Sequence, residues 1–173
     1  SFKWYSQKVF SCEDSVNNIK LCLNFENGLN TENNSQPDAR ANFVIKNESV
    51  GGPASFMNYE LYYKEIANVL NSFQNCRKSN DKTLNIQLSK TKNKIQKEFR
   101  LYEKDKKIFL SIKNENNSIT MVLGKGLENQ INSILNDIYK NYSTNIISTR
   151  NTITQSITNE ILSELLKYTK VIS

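Results

Sequence analysis

The feature that most constrains this chain of 173 residues is an internal repeat. The tetrapeptide Ile-Lys-Asn-Glu occurs at residues 45–48 and again at residues 112–115, and a strand-like stretch and then an amphipathic stretch follow each copy. A sequence that repeats its order of elements at a fixed offset is built from copies of one structural unit. Any fold for this chain must therefore accommodate the same unit twice.

Two amphipathic stretches predict a helix at the end of each unit, over about residues 62–76 and 126–142. Their apolar residues recur at the intervals that place side chains on one face of a helix. These residues are Ile66, Val69, Leu70 and Phe73 in the first stretch and Leu127, Ile131, Ile134, Leu135, Ile138 and Tyr142 in the second. A third stripe of the same kind predicts a helix over about residues 154–170.

Ahead of each of the first two helices, the alternation of apolar and polar residues predicts β-strands. The predicted strands cover residues 1–10, 18–25, 40–46, 55–61, 82–89, 94–104, 107–113 and 118–123. In the strand over 94–104, we expect Ile95, Phe99 and Leu101 to face the core. Residues 26–38 are polar and contain a glycine and a proline, which predicts a long connection between strands.

The sequence therefore predicts an α+β fold of two tandem ββββα units, at about residues 1–78 and 79–142. We expect these units to form a single domain over residues 1–145, with a C-terminal helical extension over residues 146–173. The chain is long enough to bury a substantial core.

The positive charge of the chain is concentrated in the second unit. Residues 1–86 hold 9 basic and 9 acidic side chains, whereas residues 87–173 hold 14 basic and 8 acidic ones, which gives the formal net charge of +6. The segment 90–107 alone holds 8 basic and 3 acidic residues. A local excess of positive charge attracts polyanions. The alternative is a solvated, Lys-rich surface without a ligand.

The residue types that serve catalysis and metal binding are scarce. The chain contains no His, which is the commonest general base and metal ligand, and its 3 Cys lack the C-x-x-C spacing of a zinc site. No nucleophile motif is present, and the acidic pairs Glu13-Asp14 and Glu60/Glu65 lack the surroundings of an acid–base site. We therefore expect a protein that is not an enzyme and that uses no metal and no cofactor. The absence of a long apolar run predicts no membrane span.

The order of elements and the basic second unit resemble the Whirly superfamily. That group includes the plant organellar single-stranded-DNA-binding proteins and the trypanosome mitochondrial guide-RNA-binding proteins. The similarity is best over residues 55–142, where Tyr-Glu-Leu-Tyr-Tyr-Lys-Glu-Ile at 59–66 leads from a strand into a helix. Strands then follow at 94–101 and 108–112, and the last strand leads into a helix over 118–142. PUR-type domains, which have a similar ββββα repeat, are the nearest rival.

The resemblance implies a nucleic-acid-binding protein. It implies two antiparallel Whirly-like sheets with helices packed on one side. It also implies a homo- or hetero-tetramer that binds single strands with little sequence preference. No membrane partner is expected. It implies a mitochondrial or other organellar matrix, with the cytoplasm and the nucleus as alternatives. The Lys-Gly-Lys-Ala-Ala-Leu strand motif of the plant proteins is missing at residues 19–25, which favours RNA over DNA.

Single-strand binding needs cations along the phosphate backbone and aromatic rings on which bases stack. The polar sides of the predicted strands in the second unit supply both, and the first strand adds a further set. The candidate binding residues are Lys3, Tyr5, Lys8, Lys92, Lys94, Arg100, Tyr102, Lys104, Lys107, Phe109 and Lys113. Tyr102 lies between Arg100 and Lys104 and is the strongest stacking candidate, whereas Trp4 and Phe109 fit the core equally well.

The leading hypothesis is thus a non-catalytic protein that binds single-stranded RNA or DNA through a basic, aromatic-bearing sheet face. The second hypothesis is a structural subunit of a large ribonucleoprotein, such as a mitochondrial ribosome, in which the same fold contacts rRNA and neighbouring proteins. The third is a protein-interaction module whose basic strands serve only solubility. Binding to a single strand that weakens as salt rises distinguishes the first hypothesis from the third.

Overall fold

The protein folds into two four-stranded antiparallel sheets, each followed by a helix, and carries a further helix near its C-terminus. A computed structural model describes residues 2–30, 38–79, 83–142, 155 and 158–167. The predicted α+β fold of two tandem ββββα units is confirmed. The third helix covers residues 158–167, and most of the remainder of its predicted range lies outside the described residues.

The strands of each sheet lie side by side in chain order. The first unit contains β1 (Phe2–Asp14), β2 (Ile19–Asn30), β3 (Asp38–Asn47), β4 (Phe56–Tyr62) and helix α1 (Tyr63–Lys78). The second unit contains β5 (Asn85–Lys92), β6 (Ile95–Lys104), β7 (Lys107–Asn114), β8 (Asn117–Leu123) and helix α2 (Leu127–Lys140). Because neighbours in the chain are also neighbours in the sheet, short turns can join antiparallel strands.

Tight turns join the strands of the second sheet. Asn93 and Lys94 connect β5 to β6, and Asp105 and Lys106 connect β6 to β7, all with φ between 52° and 65°. Two successive residues at positive φ are typical of a type I′ turn, whose twist matches that of a β-hairpin. Lys94, predicted as the first residue of a strand, therefore belongs to a turn.

One cluster of buried apolar residues joins both sheets and both helices. The ring of Phe99 in the second sheet lies 5.0 Å from that of Phe43 and 5.5 Å from that of Tyr59, both in the first sheet. The repeated residues Ile45 and Ile112 occupy matching places in the third strand of their sheets, and both are fully buried. The helices contribute Ile66, Val69 and Phe73 from α1 and Ile131, Leu135 and Ile138 from α2.

Strand β1 changes the side that it presents to the core partway along its length. Its register against β2 shifts so that Lys8 lies opposite Asn24 while Phe10 lies opposite Leu23. An extra residue in one strand is a β-bulge, and it reverses the alternation of the side chains that follow. Trp4 and Lys8 therefore face away from the core, whereas Phe10 packs against it.

Two further sequence predictions were wrong, each for its own reason. Residues 26–30, predicted as part of a connection, belong to β2 because they pair with residues 2–6 of β1. Backbone pairing with a neighbouring strand outweighs weak local strand propensity. Ile95, expected in the core, is 41% exposed because its end of β6 extends past the apolar cluster.

Three lysines of the second sheet hold it against the open edge of the first. β4 is the outermost strand of its sheet, so the carbonyl groups of its free edge need partners. Lys97 donates one hydrogen bond to the main-chain oxygen of Asn58 over 3.0 Å, and Lys90 donates one to the main-chain oxygen of Glu60. Lys92 donates to the Glu60 carboxylate. We call Lys90, Lys92 and Lys97 the lysine clamp.

Glu60 is the main opposite charge at the lysine clamp. Its side chain is only 9% exposed, and its carboxylate also lies 3.2 Å from Arg40 Nη1. Burial by itself raises the pKa of Glu60. The hydrogen bond from Lys92 and the charges of Arg40, Lys92 and Lys97 outweigh burial and hold the pKa below its ordinary value of 4.5. At Lys97 burial dominates and lowers the pKa of the ammonium group, although Glu60 opposes that effect.

Replacing Glu60 with Gln should lower the free energy of unfolding by about 3 kcal/mol at neutral pH, because Lys92 and Arg40 lose an ionised partner in a buried place. Chemical denaturation followed by circular dichroism measures this quantity. Glu98→Gln is the matched control, since its 4.0 Å pair with Lys113 lies at the surface and should contribute less than about 1 kcal/mol. Equal losses in the two variants would contradict the role assigned to Glu60.

The lowered pKa of Glu60 also predicts a pH dependence. Because the folded-state pKa of Glu60 lies below 4.5, the contribution of this carboxylate to the free energy of unfolding is complete above pH 4.5. That contribution is lost as the pH falls through the folded-state pKa. The unmodified protein should therefore lose stability in acid more steeply than Glu60→Gln does. Denaturation series at several acidic pH values test this, and parallel curves for the two proteins would refute it.

Candidate nucleic-acid interface

A group of the predicted binding residues lies on the side of the second sheet that faces away from the core. Strands β6 and β7 turn alternate side chains to that side, and their register places Tyr102 opposite Phe109 and Lys104 opposite Lys107. The group consists of Arg100, Tyr102, Lys104, Lys107, Phe109 and Lys113, and we call it the second-sheet outer face. The period of two along each strand brings these residues together.

The centre of this face is a layered stack of a cation and two aromatic rings. The rings of Tyr102 and Phe109 lie 5.3 Å apart and within 18° of parallel. The guanidinium carbon of Arg100 lies 4.0 Å from the centre of the Tyr102 ring, and its Nε donates a hydrogen bond to Asn85 Oδ1 over 3.3 Å. Both rings are half-buried, so neighbouring side chains hold them while part of each stays open to solvent. Such stacked and cation–π contacts orient the rings before any ligand arrives.

Exposed lysines lie at both ends of this stack. Lys104 and Lys107 face each other beside the turn between β6 and β7, and Lys113 lies farther along β7 beyond Phe109. The Lys113 ammonium group is 4.0 Å from Glu98, in a pair whose side chains are 47% and 40% exposed. An exposed pair of this kind is weak, so the charge of Lys113 stays available to another anion.

The other five predicted binding residues do not belong to this face. Lys92 is part of the lysine clamp, and Lys94 lies in the turn between β5 and β6. Lys3 and Tyr5 share one side of β1, with the Lys3 ammonium group 5.5 Å from the Tyr5 ring, whereas Lys8 points to the opposite side. The structure therefore divides the predicted set among several surfaces.

A second cation–aromatic cluster, which the sequence patterns did not single out, lies on the outer side of the first sheet. The Arg40 guanidinium is 3.7 Å from the centre of the Trp4 ring and 5.9 Å from that of Tyr62. The same guanidinium donates hydrogen bonds to Glu26 over 2.7 Å and to Glu60 over 3.2 Å. Because the Arg40 side chain is 12% exposed and faces two carboxylates, we interpret this cluster as structural. Its members lie far apart in the sequence, so no local pattern could reveal it.

The described residues include three free thiols, at Cys12, Cys22 and Cys76. Burial raises the pKa of Cys12 to about 11, which keeps this thiol protonated and unreactive at neutral pH. Within the described ranges, no three His, Cys, Asp or Glu side chains are grouped so that they could hold a metal ion. A search of the same residues for a helix long and apolar enough to span a bilayer found none.

Comparison of the chain with protein-family models, with curated proteins and with solved structures found no match. The resemblance to the Whirly superfamily, and the tetramer and organellar location that it implies, therefore stay predictions. The functional interpretation rests on the geometry of the second-sheet outer face.

The close approach of Trp4 to Gly28 provides a test of the cation–aromatic cluster formed by Arg40, Trp4 and Tyr62. A Cβ atom at residue 28 would lie 2.8 Å from the Trp4 ring, so Gly28→Ala should push the ring away from Arg40. Since Trp4 is the single Trp of the chain, its fluorescence emission should move to longer wavelength. The free energy of unfolding should fall by about 1–2 kcal/mol, as is usual for overpacking.

The control for this prediction is Gly51→Ala, where an added Cβ meets no atom within 4 Å. Its emission spectrum should match that of the unmodified protein. An unchanged spectrum in Gly28→Ala would show that Trp4 does not occupy the place assigned to it.

Proposed function

We propose that this protein is a non-catalytic binding protein for single-stranded nucleic acid, and that the strand lies across the second-sheet outer face. The observation that carries the proposal is the stack of Arg100, Tyr102 and Phe109, which has exposed lysines at both of its ends. A base that stacks on an aromatic ring of such a platform gains roughly 1–3 kcal/mol, whatever its identity.

The arrangement favours a single strand over a duplex. The aromatic pair lies on the open side of a sheet, where a base that is free of its complement can reach the rings. In a duplex the bases are stacked on one another, so only the phosphates would be available to this face. Lys104 and Lys107 on one side of the rings and Lys113 on the other would contact phosphates on either side of a stacked base.

The chemistry of the platform predicts binding with little sequence preference. Every base has a π-face that can stack, and lysine side chains recognise the phosphate backbone without regard to sequence. The proposed preference for RNA over DNA rests on the missing plant strand motif at residues 19–25. The proposed location in a mitochondrial or other organellar matrix rests on the resemblance to the Whirly superfamily.

The double variant Arg100→Glu/Lys104→Glu should weaken binding to a labelled single-stranded RNA at least tenfold, because two attractive charges become repulsive. Fluorescence anisotropy at several salt concentrations measures the affinity. The slope of log affinity against log salt should become shallower by about 2, since two phosphate contacts are lost. Circular dichroism verifies that the variant is folded.

The matched control is Lys64→Glu/Lys140→Glu, which makes the same change in net charge at exposed lysines of the two helices. Its affinity should stay close to that of the unmodified protein. Equal weakening in both double variants would mean that net charge, and not the second-sheet outer face, governs binding. Failure of the unmodified chain to bind at low salt would overturn the proposal and favour the alternative of a protein-interaction module whose basic strands serve only solubility.

Replacing Tyr102 with Ala should weaken binding by about 1–3 kcal/mol without changing the salt dependence, because stacking is lost while the charges remain. Tyr139→Ala is the control, since it also removes one ring of a stacked pair, at 4.6 Å from Tyr63 on the helices. If Tyr102→Ala binds as tightly as the control, base stacking on Tyr102 does not contribute to affinity. Only the contacts of the basic side chains with phosphates would then remain in the proposal.

A further inference from the structure

The outer side of β7 carries an aromatic ring, a hydroxyl group and a cation in succession. These groups belong to Phe109, Ser111 and Lys113, which alternate with the buried residues Leu110 and Ile112. Successive side chains on one side of a strand lie roughly 7 Å apart. Phe109 and Lys113 already have parts in the proposed binding of a base and of a phosphate. Ser111 lies between them and has no part so far.

A second hydroxyl group lies beside that of Ser111. The register of β7 and β8 places Thr120 directly opposite Ser111, and Thr120 Oγ1 donates a hydrogen bond to Ser111 Oγ over 3.0 Å. This bond uses one of the two hydroxyl hydrogens, so the other is left to donate, and both oxygens keep lone pairs that can accept. Neither hydroxyl group has another hydrogen-bond partner among the described residues. The pair is exposed and therefore open to a ligand.

The order of these groups along β7 matches the order of the parts of a nucleotide. In a single strand, a sugar connects each base to the phosphate backbone. When a base stacks on Phe109 and the adjoining phosphate contacts Lys113, the connecting sugar lies over Ser111. The long, flexible stem of Lys113 lets its ammonium group reach that phosphate. A ribose at this place carries a 2′-hydroxyl group, which is both a donor and an acceptor and which deoxyribose lacks.

We infer that the hydroxyl pair of Ser111 and Thr120 binds the 2′-hydroxyl group of a ribose and thereby selects RNA over DNA. This role rests on the proposed function, since it requires a single strand on the second-sheet outer face. The free hydroxyl hydrogen of the pair is donated to the 2′-oxygen, or an oxygen of the pair accepts the 2′-hydrogen. DNA would contact the same rings and lysines, but it would turn a methylene group toward the pair.

A cross-strand pair of this kind also stabilises a sheet by itself, so the test needs a measurement that a structural role would not change. The ratio of the affinities for RNA and for DNA is such a measurement. Fluorescence anisotropy gives both affinities, with a short labelled oligouridylate and its 2′-deoxy counterpart as probes, because these share their base and differ only at the 2′ position. The unmodified protein should bind the RNA roughly fivefold more tightly, as expected for one net hydrogen bond.

Ser111→Ala/Thr120→Val removes both hydroxyl groups and should reduce the ratio of the two affinities to about one. Because both partners of the hydrogen bond are replaced together, no polar group is left unpaired, and the sheet should be retained. Circular dichroism verifies that the variant is folded. The matched control is Ser72→Ala/Ser133→Ala, which removes two hydroxyl groups from helices α1 and α2 and should keep the ratio of the unmodified protein.

A third probe, 2′-fluoro oligouridylate, separates hydrogen bonding from the shape of the sugar. Fluorine keeps the sugar in a shape close to that of ribose, but it cannot donate a hydrogen bond and accepts one only weakly. We expect the unmodified protein to bind this probe about as weakly as it binds the deoxy probe. Binding as tight as that of the RNA would show that the shape of the sugar governs the preference, and the role assigned to the hydroxyl pair would be wrong.

The other outcomes also decide the matter. Equal affinity of the unmodified protein for RNA and DNA would overturn the role of the hydroxyl pair and leave the proposed function standing. If Ser111→Ala/Thr120→Val loses affinity for both probes by the same factor, the pair only supports the sheet and does not select RNA. An absence of binding to either probe at low salt would overturn the proposed function and the role of the pair together.

Discussion

The fold depends on the contact between the lysine clamp and the open edge of β4. A sheet of four strands leaves unpaired carbonyl groups along its outermost strand, and such an edge invites other chains to pair with it. Lys90 and Lys97 supply hydrogen-bond donors to those carbonyl oxygens, and Glu60 supplies the compensating negative charge. An ammonium group brings three donors on a long flexible stem, so it can reach across from the second sheet without a strand of its own. The same contact protects the edge and fixes how the two sheets lie against each other.

This contact divides the positive charge of the second unit into two parts. The lysine clamp uses three of the 8 basic residues of the segment 90–107, and acidic groups of β4 and α1 partly balance their charge. The remaining charge lies on the opposite side of the sheet or in its turns. Arg100 and Lys104 lie on the same strand as Lys97, but alternate residues of a strand point to opposite sides of the sheet. Lys97 is therefore buried, whereas Arg100 and Lys104 face solvent. The proposed binding surface is therefore narrower than the basic segment, and it is organised around the ring of Tyr102.

Much of the fold could be predicted because its signals are local. The apolar stripes of α1 and α2 and the alternation in β6, β7 and β8 lie within single elements, and each element was found close to its observed bounds. The candidate site was predictable where alternation continued without interruption, as at Arg100, Tyr102 and Lys113. The candidate site was not predictable where contacts with distant segments decide which surface a side chain joins. The bulge after Lys8 reverses the sides of β1, and the acidic partner of Lys92 lies in another sheet. Ile95 was predicted to face the core, but its end of β6 extends beyond the core.

The sequence by itself determined the order of elements, the repetition of the ββββα unit and the apolar side of each helix and strand. These follow from the period of side chains along a strand or a helix, which is a property of neighbouring residues. Only the tertiary structure decided which lysines are engaged and which are free, that Phe109 faces solvent beside Tyr102, and that Trp4 packs on Arg40. Hydrogen bonds, ion pairs and ring contacts depend on distances between elements, and no local period contains those distances.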